Sequence, residues 1–275
     1  MSQHKVWFVT GASRGFGRLW TEAALKRGDK VVATARDPET LGNLVRDYGD
    51  AVLPLALDVT DRQAVFRAVN AGHEHFGRLD VMLSNAGYGY IGAIEEVAAD
   101  DVRTNFETNV FGTIAVIQAA LPLLRAQGGG HILTLSSIGG IISAGMGGIY
   151  GATKFAVEAL SETLSREVAG FGIKVTIIEP GPYATQFSSS IKVAPAMAEY
   201  DEVRAAIMAL RKSVPVGDPA ATVDAILRVV DAEEPPLRLL LGALLPIIKN
   251  AYEERIENWK SWADVSVAAQ GKLVG

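Results

Sequence analysis

Seven short apolar, β-branched runs recur along this chain with helical patterns between them, and that rhythm restricts the fold more than any other feature. The runs are VWFVT (6–10), KVVATA (30–35), VLPLAL (52–57), LDVMLS (79–84), HILTLS (131–136), KVTIIE (174–179) and RLLLG (238–242). They are mostly continuously apolar rather than alternating, as a sheet covered on both faces requires. Amphipathic patterns at about 16–28, 61–76, 101–126, 149–169 and 218–232 supply the covering helices. The alternation predicts a doubly wound, mainly parallel α/β sheet of the Rossmann-like kind in a single domain. Within it, residues 1–242 are expected to form the main α/β body and 243–275 a C-terminal helical extension of the same domain. Residues 185–213 read as an irregular loop, and the tail reads as helical to about Trp262 and frayed beyond it.

Composition removes several classes of function. A net charge of −5 and a pI near 5.5 leave no basic footprint for nucleic acid. The chain has no cysteine, which excludes disulfides, thiolate catalysis and cysteine-based metal sites and permits a reducing cytoplasm. MSQHKVWFVTGAS has too short an apolar run for a signal-peptide core. The most apolar segment by eye, LLLGALLPII at 239–248, is interrupted by Gly242 and Pro246 and falls well short of the ~20 residues of a membrane span. The expectation is a cytoplasmic protein with no membrane span. His73 and His75, two apart on a helix, point in different directions and cannot clamp a metal; His4 and His131 stand alone, and no metal site is expected.

Two stretches carry chemistry. Directly after the first run, TGASRGFG (10–17) places Gly11, Gly15 and Gly17 between a strand and a helix. Glycines there let a backbone approach a pyrophosphate, whose charge the helix N-terminal amides favour. Further on, IYGATKFAVEALSETL (149–164) puts Tyr150 and Lys154 one helical turn apart on a face of small residues. A free tyrosine is a poor acid or base near neutrality, and a cation one turn away lowers its pKa.

With the NAG of Asn85, Ala86 and Gly87 after the fourth run, these motifs resemble the short form of the short-chain dehydrogenase/reductases over about residues 5–242. The resemblance implies a catalytic set of Asn109, Ser137, Tyr150 and Lys154, with Ser137 thirteen positions before Tyr150. It implies a cofactor site of Gly11, Ser13, Arg14, Gly15, Phe16, Gly17, Arg36, Asp58, Val59, Asn85, Ala86, Gly87, Tyr150, Lys154, Pro180, Gly181 and Thr185. Asp58 could equally cap the helix starting near Asp61. In such a site Tyr150 gives a proton to a developing alkoxide and Ser137 holds its oxygen. Lys154 perturbs the tyrosine and holds the ribose, and Asn109 holds a water leading to solvent.

The cofactor is expected to be NADP(H) in preference to NAD(H). Ala35 stands where an acid would bind the ribose 2′-hydroxyl, and Arg36 follows it, with Arg14 in the glycine turn. Candidate substrate-pocket residues are Tyr88, Ser143, Met146, Tyr183, Phe187 and Met197, together with Tyr90, Ile91 and Ile191. Mostly apolar, they point to a hydrophobic ketone, aldehyde or secondary alcohol. The helices at 101–126 and 149–169 are apolar around much of their circumference, from which a homodimer or homotetramer is expected. A non-catalytic dinucleotide sensor and a sugar-nucleotide epimerase or dehydratase remain as alternative readings.

Overall fold

The computed structural model describes residues 4–271. In chain order the strands are β1 (Val6–Val9), β2 (Lys30–Ala35), β3 (Val52–Ala56), β4 (Val81–Ser84), β5 (Tyr90–Ile91), β6 (Gly130–Leu135), β7 (Ile173–Pro180), β8 (Lys192–Val193) and β9 (Arg238–Leu241). Seven of them form one parallel sheet in the order β3-β2-β1-β4-β6-β7-β9. Each predicted run supplies one strand of it. β5 and β8, unexpected from sequence, pair parallel in a separate two-stranded ribbon.

The helices are α1 (Gly15–Lys26), α2 (Gly42–Tyr48), α3 (Arg62–Phe76), α4 (Ala99–Phe106), α5 (Gly112–Ala126), α6 (Gly148–Glu167), α7 (Asp201–Ser213), α8 (Val223–Asp231), α9 (Leu245–Ser261) and α10 (Ala263–Gln270). Two apolar layers explain the continuous runs. Val6 and Phe8 of β1 face the layer of α3, α5 and α6, while Trp7 and Val9 face that of α1, α2 and α8. Trp7 and Phe8 are both fully buried. Because successive strand residues point to opposite faces, both faces must be apolar. The indole N–H groups are satisfied, Trp7 donating to Asp29 at 2.7 Å and Trp20 to Thr222 at 2.9 Å.

Three expectations need correction. The 185–213 insert is not irregular throughout, since its last thirteen residues form α7. The C-terminal segment does not fray after Trp262, because α10 follows. The most extended apolar helix is not at 239–248 but at Ala99–Ala126, which by length and composition alone could cross a membrane; it is a core helix, with 56% of its most apolar window buried. α4 and α5 run into one another there through a π-helical turn, Glu107–Phe111.

The chain divides into two compact units, Met1–Gly242 and Ala243–Gly275. The first holds the sheet and its helices. The second contains α9 and α10; Leu245, Tyr252, Ile256 and Trp259 of α9 are exposed, as is Trp262 between the two helices. Within the first unit the strand order runs outward in both directions from β1 and β4, so their carboxyl ends flank the topological switch point where such sheets bind ligands.

Candidate active site

At that switch point the ends of β1 and β4 are tied together by side chains. The Thr10 hydroxyl accepts from the backbone N–H groups of Asn85 (2.9 Å) and Ala86 (3.0 Å), and Asn85 Nδ2 donates to the carbonyls of Thr10 (2.8 Å) and Gly11 (3.1 Å). These are the first residue of TGASRGFG and the first of NAG; they fix the two loops against each other. Gly11 (φ +70°) and Gly15 (φ +58°) adopt the left-handed backbone that glycine tolerates best. A side chain on Gly11 would also press on Asn85 and Ala86.

The resulting cleft has a volume of about 480 Å3. Of the expected cofactor residues, Gly11, Ser13, Arg14, Gly15, Phe16, Arg36, Asp58, Val59, Asn85, Ala86, Gly87 and Thr185 line it. Gly17, Pro180, Gly181, Tyr150 and Lys154 do not. Gly17 has a packing role instead, since a Cβ there would run into the Gly11 carbonyl and Asn85. Pro180 is buried at the end of β7, and the Gly181 N–H donates to the Leu241 carbonyl. Asp58 does not cap α3, whose cap is Asp61; its carboxylate accepts from the N–H and hydroxyl of Thr60.

Arg14 and Arg36 have no ion-pair partner among the described residues. Asp37, the acid beside Arg36, is engaged in accepting from the Glu39 N–H. A cleft with a glycine turn at a helix N-terminus and two uncommitted guanidiniums fits a phosphate-bearing dinucleotide.

Sequence reasoning missed Leu57, Thr60, Thr104, Thr108, Ser190 and Lys192 in the lining. Thr104 and Thr108 do share a helical face, which was the available signal. Lys192 arrives through the β5–β8 pairing, for which no local motif exists.

The four expected catalytic residues converge from α6, the Ser137 turn and the π-helical turn. Lys154 Nζ donates to the Leu135 carbonyl at 2.7 Å, and lies 5.8 Å from the Tyr150 ring centroid. The Tyr150 phenol is within hydrogen-bonding reach of Ser137. Burial pushes the phenol up to about 12, a rise that the Ser137 hydrogen bond only partly opposes. The expected lowering by Lys154 does not show in this structure: desolvation sets the shift, and Ser137 is the group that opposes it. Burial pulls Lys154 itself down to about 8, against the upward pull of Glu158.

Asn109 is held by its side chain. Its Oδ1 accepts from the Tyr88 N–H, and its Nδ2 donates to the Tyr88 carbonyl and to the Thr153 hydroxyl, each at 3.0 Å. Both amide protons are used while Oδ1 keeps one acceptor position, so the side chain fixes the Tyr88 backbone.

Among the substrate-pocket candidates, Tyr88 and Phe187 line the cleft, and the Phe187 ring centre is 5.9 Å from that of Tyr150. Ser143, Met146, Tyr183 and Met197 do not line it. Tyr183 packs edge-on against Phe16 at 5.4 Å, Met146 is buried, and the Met197 N–H donates to Glu96. Of the histidines, His75 packs edge-on against Phe76, and His131 is buried beside Thr176.

Fold and cleft together define a doubly wound protein built to hold a dinucleotide. A family model described as short chain dehydrogenase matches residues 5–195, and the chain belongs to the short-chain dehydrogenase/reductase family of oxidoreductases. It is 43% identical to oxidoreductase BOA17 of Botryotinia fuckeliana over 96% of this chain and 99% of that one. It is 32% identical to a 3-ketodihydrosphingosine reductase of Bacteroides thetaiotaomicron, covering 90% and 91%. Among solved structures, a short-chain dehydrogenase from Streptomyces avermitilis superposes with a TM-score of 0.91 at 38% identity, covering 98% and 99%. A serine dehydrogenase complexed with NADP+ gives 0.75 at 28% identity, covering 86% and 94%.

Proposed function

We propose that this protein is a cytoplasmic NADP(H)-dependent reductase of hydrophobic ketones or aldehydes, with Tyr150 as proton donor. The observation that carries the reading is the Tyr150 phenol, held beside Ser137 and pushed up to about 12 by burial. A phenol that keeps its proton throughout the physiological range is ready to act as an acid.

Gly11, Gly15 and Asn85 shape the turn that would receive the pyrophosphate, and Arg14 and Arg36 would meet a 2′-phosphate. The nicotinamide supplies the hydride. Ser137 then holds the substrate oxygen, Tyr150 Oη releases its proton to it, and the Lys154 ammonium stabilises the phenolate left behind. Lys154 is oriented for this by the Leu135 carbonyl. Gly87 keeps the approach open, because a Cβ there would sit 2.9 Å from Asn109 Oδ1 and 3.7 Å from Lys154 Nζ.

Tyr88 and Phe187 give the substrate end an apolar surface. Its cation, Lys192, lies 3.7 Å from the Asp101 carboxylate and over the Tyr88 ring, so it is partly neutralised before any anionic substrate arrives. The relative named for a keto substrate supports the same class.

The test is NADPH oxidation against a panel of hydrophobic ketones, with wild type and Tyr150→Phe side by side. The variant should lose at least about a hundredfold in turnover while NADPH still binds, as fluorescence titration would show. Activity within about tenfold of wild type, a barrier change of only ~1.4 kcal/mol, removes Tyr150 from the role.

A further inference from the structure

Directly behind the proposed site lies a cluster of buried acids that the mechanism above does not use. Glu158 follows Lys154 by one turn on α6, and Glu179 is the last residue but one of β7. They are only 6% and 3% exposed. The two carboxyls are close enough for each to perturb the other's titration. A single guanidinium nitrogen serves both, with Arg238 Nε at 3.3 Å from Glu158 Oε2 and 3.3 Å from Glu179 Oε1. The other arm of Arg238 is taken by Glu162 at 2.7 Å, and Glu162 also accepts from Arg166. Both Glu158 oxygens, Glu179 Oε1 and the Ser136 hydroxyl beside them have no well-aligned hydrogen-bond partner.

Two ionised carboxylates cannot comfortably share this space. Each loses hydration on burial, they repel one another, and one divided guanidinium cannot offset both charges. A proton on the pair removes the repulsion and supplies a donor to an oxygen that otherwise has none.

We propose that Glu158 and Glu179 share a single proton, and that the charge remaining on Glu158 is what keeps Lys154 cationic. Glu158 and Glu179 are positioning residues in this scheme, acting through Lys154. The inference rests on the reading of Lys154 as the cation that supports Tyr150.

The electrostatics of the neighbours agree. Burial, then the charge of Glu158, pushes Glu179 up to about 8, and burial raises Glu158 as well; the two titrate as a unit. Burial pulls Lys154 down to about 8, and Glu158 is the charge working against that. The charged groups acting on the pair or acted on by it are Lys154 from α6 and Arg238 from β9, with Glu162 on the far arm of Arg238 and Arg166 on Glu162; the β6 end contributes the neutral Ser136 hydroxyl.

A pair that merely stitched β9 to α6 would make its two glutamates equivalent. A shared proton makes their removal opposite in effect. In Glu158→Gln the charge next to Lys154 is gone, so the lysine should deprotonate at lower pH. In Glu179→Gln the remaining Glu158 no longer shares a proton and stays ionised, so the lysine should deprotonate at higher pH.

The experiment is an NMR titration of 13C-lysine-labelled full chain, with the Lys154 resonance assigned by its loss in Lys154→Met. Shifts in opposite directions, each of roughly half a pH unit or more, are expected. Shifts in the same direction, or none, overturn the proposal. Should Glu158→Gln fail to fold, Glu179→Gln decides alone: an upward shift supports the shared proton and an unmoved lysine refutes it. The alkaline limb of turnover should follow the same two directions. Opposite lysine shifts in a protein that reduces no ketone would sustain this inference while removing the proposed function.

Discussion

Arg36 is the residue on which we expect the choice between two cofactors to turn. It follows Ala35 at the end of β2, lines the cleft, and has no acidic partner among the described residues, since Asp37 is occupied by the Glu39 N–H. A guanidinium can make charge-assisted, forked hydrogen bonds to a phosphate dianion and has nothing equivalent to offer a hydroxyl. Losing such a bond costs about 1.5–3 kcal/mol, so Arg36→Ala should lower catalytic efficiency with NADPH by roughly ten- to a hundredfold. Efficiency with NADH should hardly change. An equal loss with both cofactors would show that Arg36 supports the loop rather than reading the phosphate. The place of Arg36 at the end of β2 was legible in VVATARD, because a strand end is a local feature. The hydrogen bonds that hold Asn109 were not, because they depend on Tyr88 and Thr153, which are distant in sequence.

Among the elements, legibility followed burial. β2 has the bounds that KVVATA predicts, because five of its six residues are buried and must be apolar. α7 was missed although Val203, Ile207 and Leu210 recur at helical spacing, because it buries none of its residues and leaves Val203, Met208 and Leu210 exposed within an insert whose sequence shows no strand beside it. Its ends did carry a signal: Asp201 and Glu202 begin it and Arg211 and Lys212 close it, matching the helix dipole. The π-helical turn at Asn109 was not read from the sequence, because a single such turn shifts the phase of the apolar pattern between α4 and α5 without ending it. The glycine turn was legible as a motif, but the purpose of its last glycine was not. Gly17 is where α1 meets the β1 and β4 loops, and a methyl group there would collide with the Gly11 carbonyl and Asn85. Overpacking of this kind costs about 1–3 kcal/mol, and here the cheapest relief is to move the turn itself. Gly17→Ala should therefore lower the urea midpoint and weaken cofactor binding together. An unchanged midpoint with unchanged affinity would show that the turn has slack.

At the scale of the whole molecule, the seven-stranded sheet was readable because both faces are covered, whereas association and acid stability depend on surfaces and buried charge. Phe111 is 53% exposed at the start of α5, while Ile114 of α5 and Phe155 and Leu160 of α6 are half-buried. We expect light scattering to show a dimer or tetramer at micromolar concentration and Phe111→Glu to shift it towards monomer; a monomeric wild type would refute the apolar-face argument.

Acid stability turns on His131, which is 4% exposed between β4 and β7. The Thr176 hydroxyl gives its one proton to the Pro236 carbonyl, so it can only accept from His131 Nε2 at 2.9 Å; the ring is neutral, with its proton on Nε2. Burial, then the charges of Lys174 and Lys5, pulls this histidine from 6.5 down to about 3. Between those values the unfolded chain binds a proton that the folded chain does not, so stability is present above about 6.5 and is lost as the pH falls below it. At pH 5 the loss from this one group is about 2 kcal/mol. His131→Gln keeps a donor for Thr176 and cannot titrate. Between pH 7.5 and 5, wild type should lose about 2 kcal/mol more unfolding free energy than the variant, measured by urea denaturation at each pH. Equal losses in the two proteins would mean that His131 is protonated in the folded state, and that its pocket admits a charge.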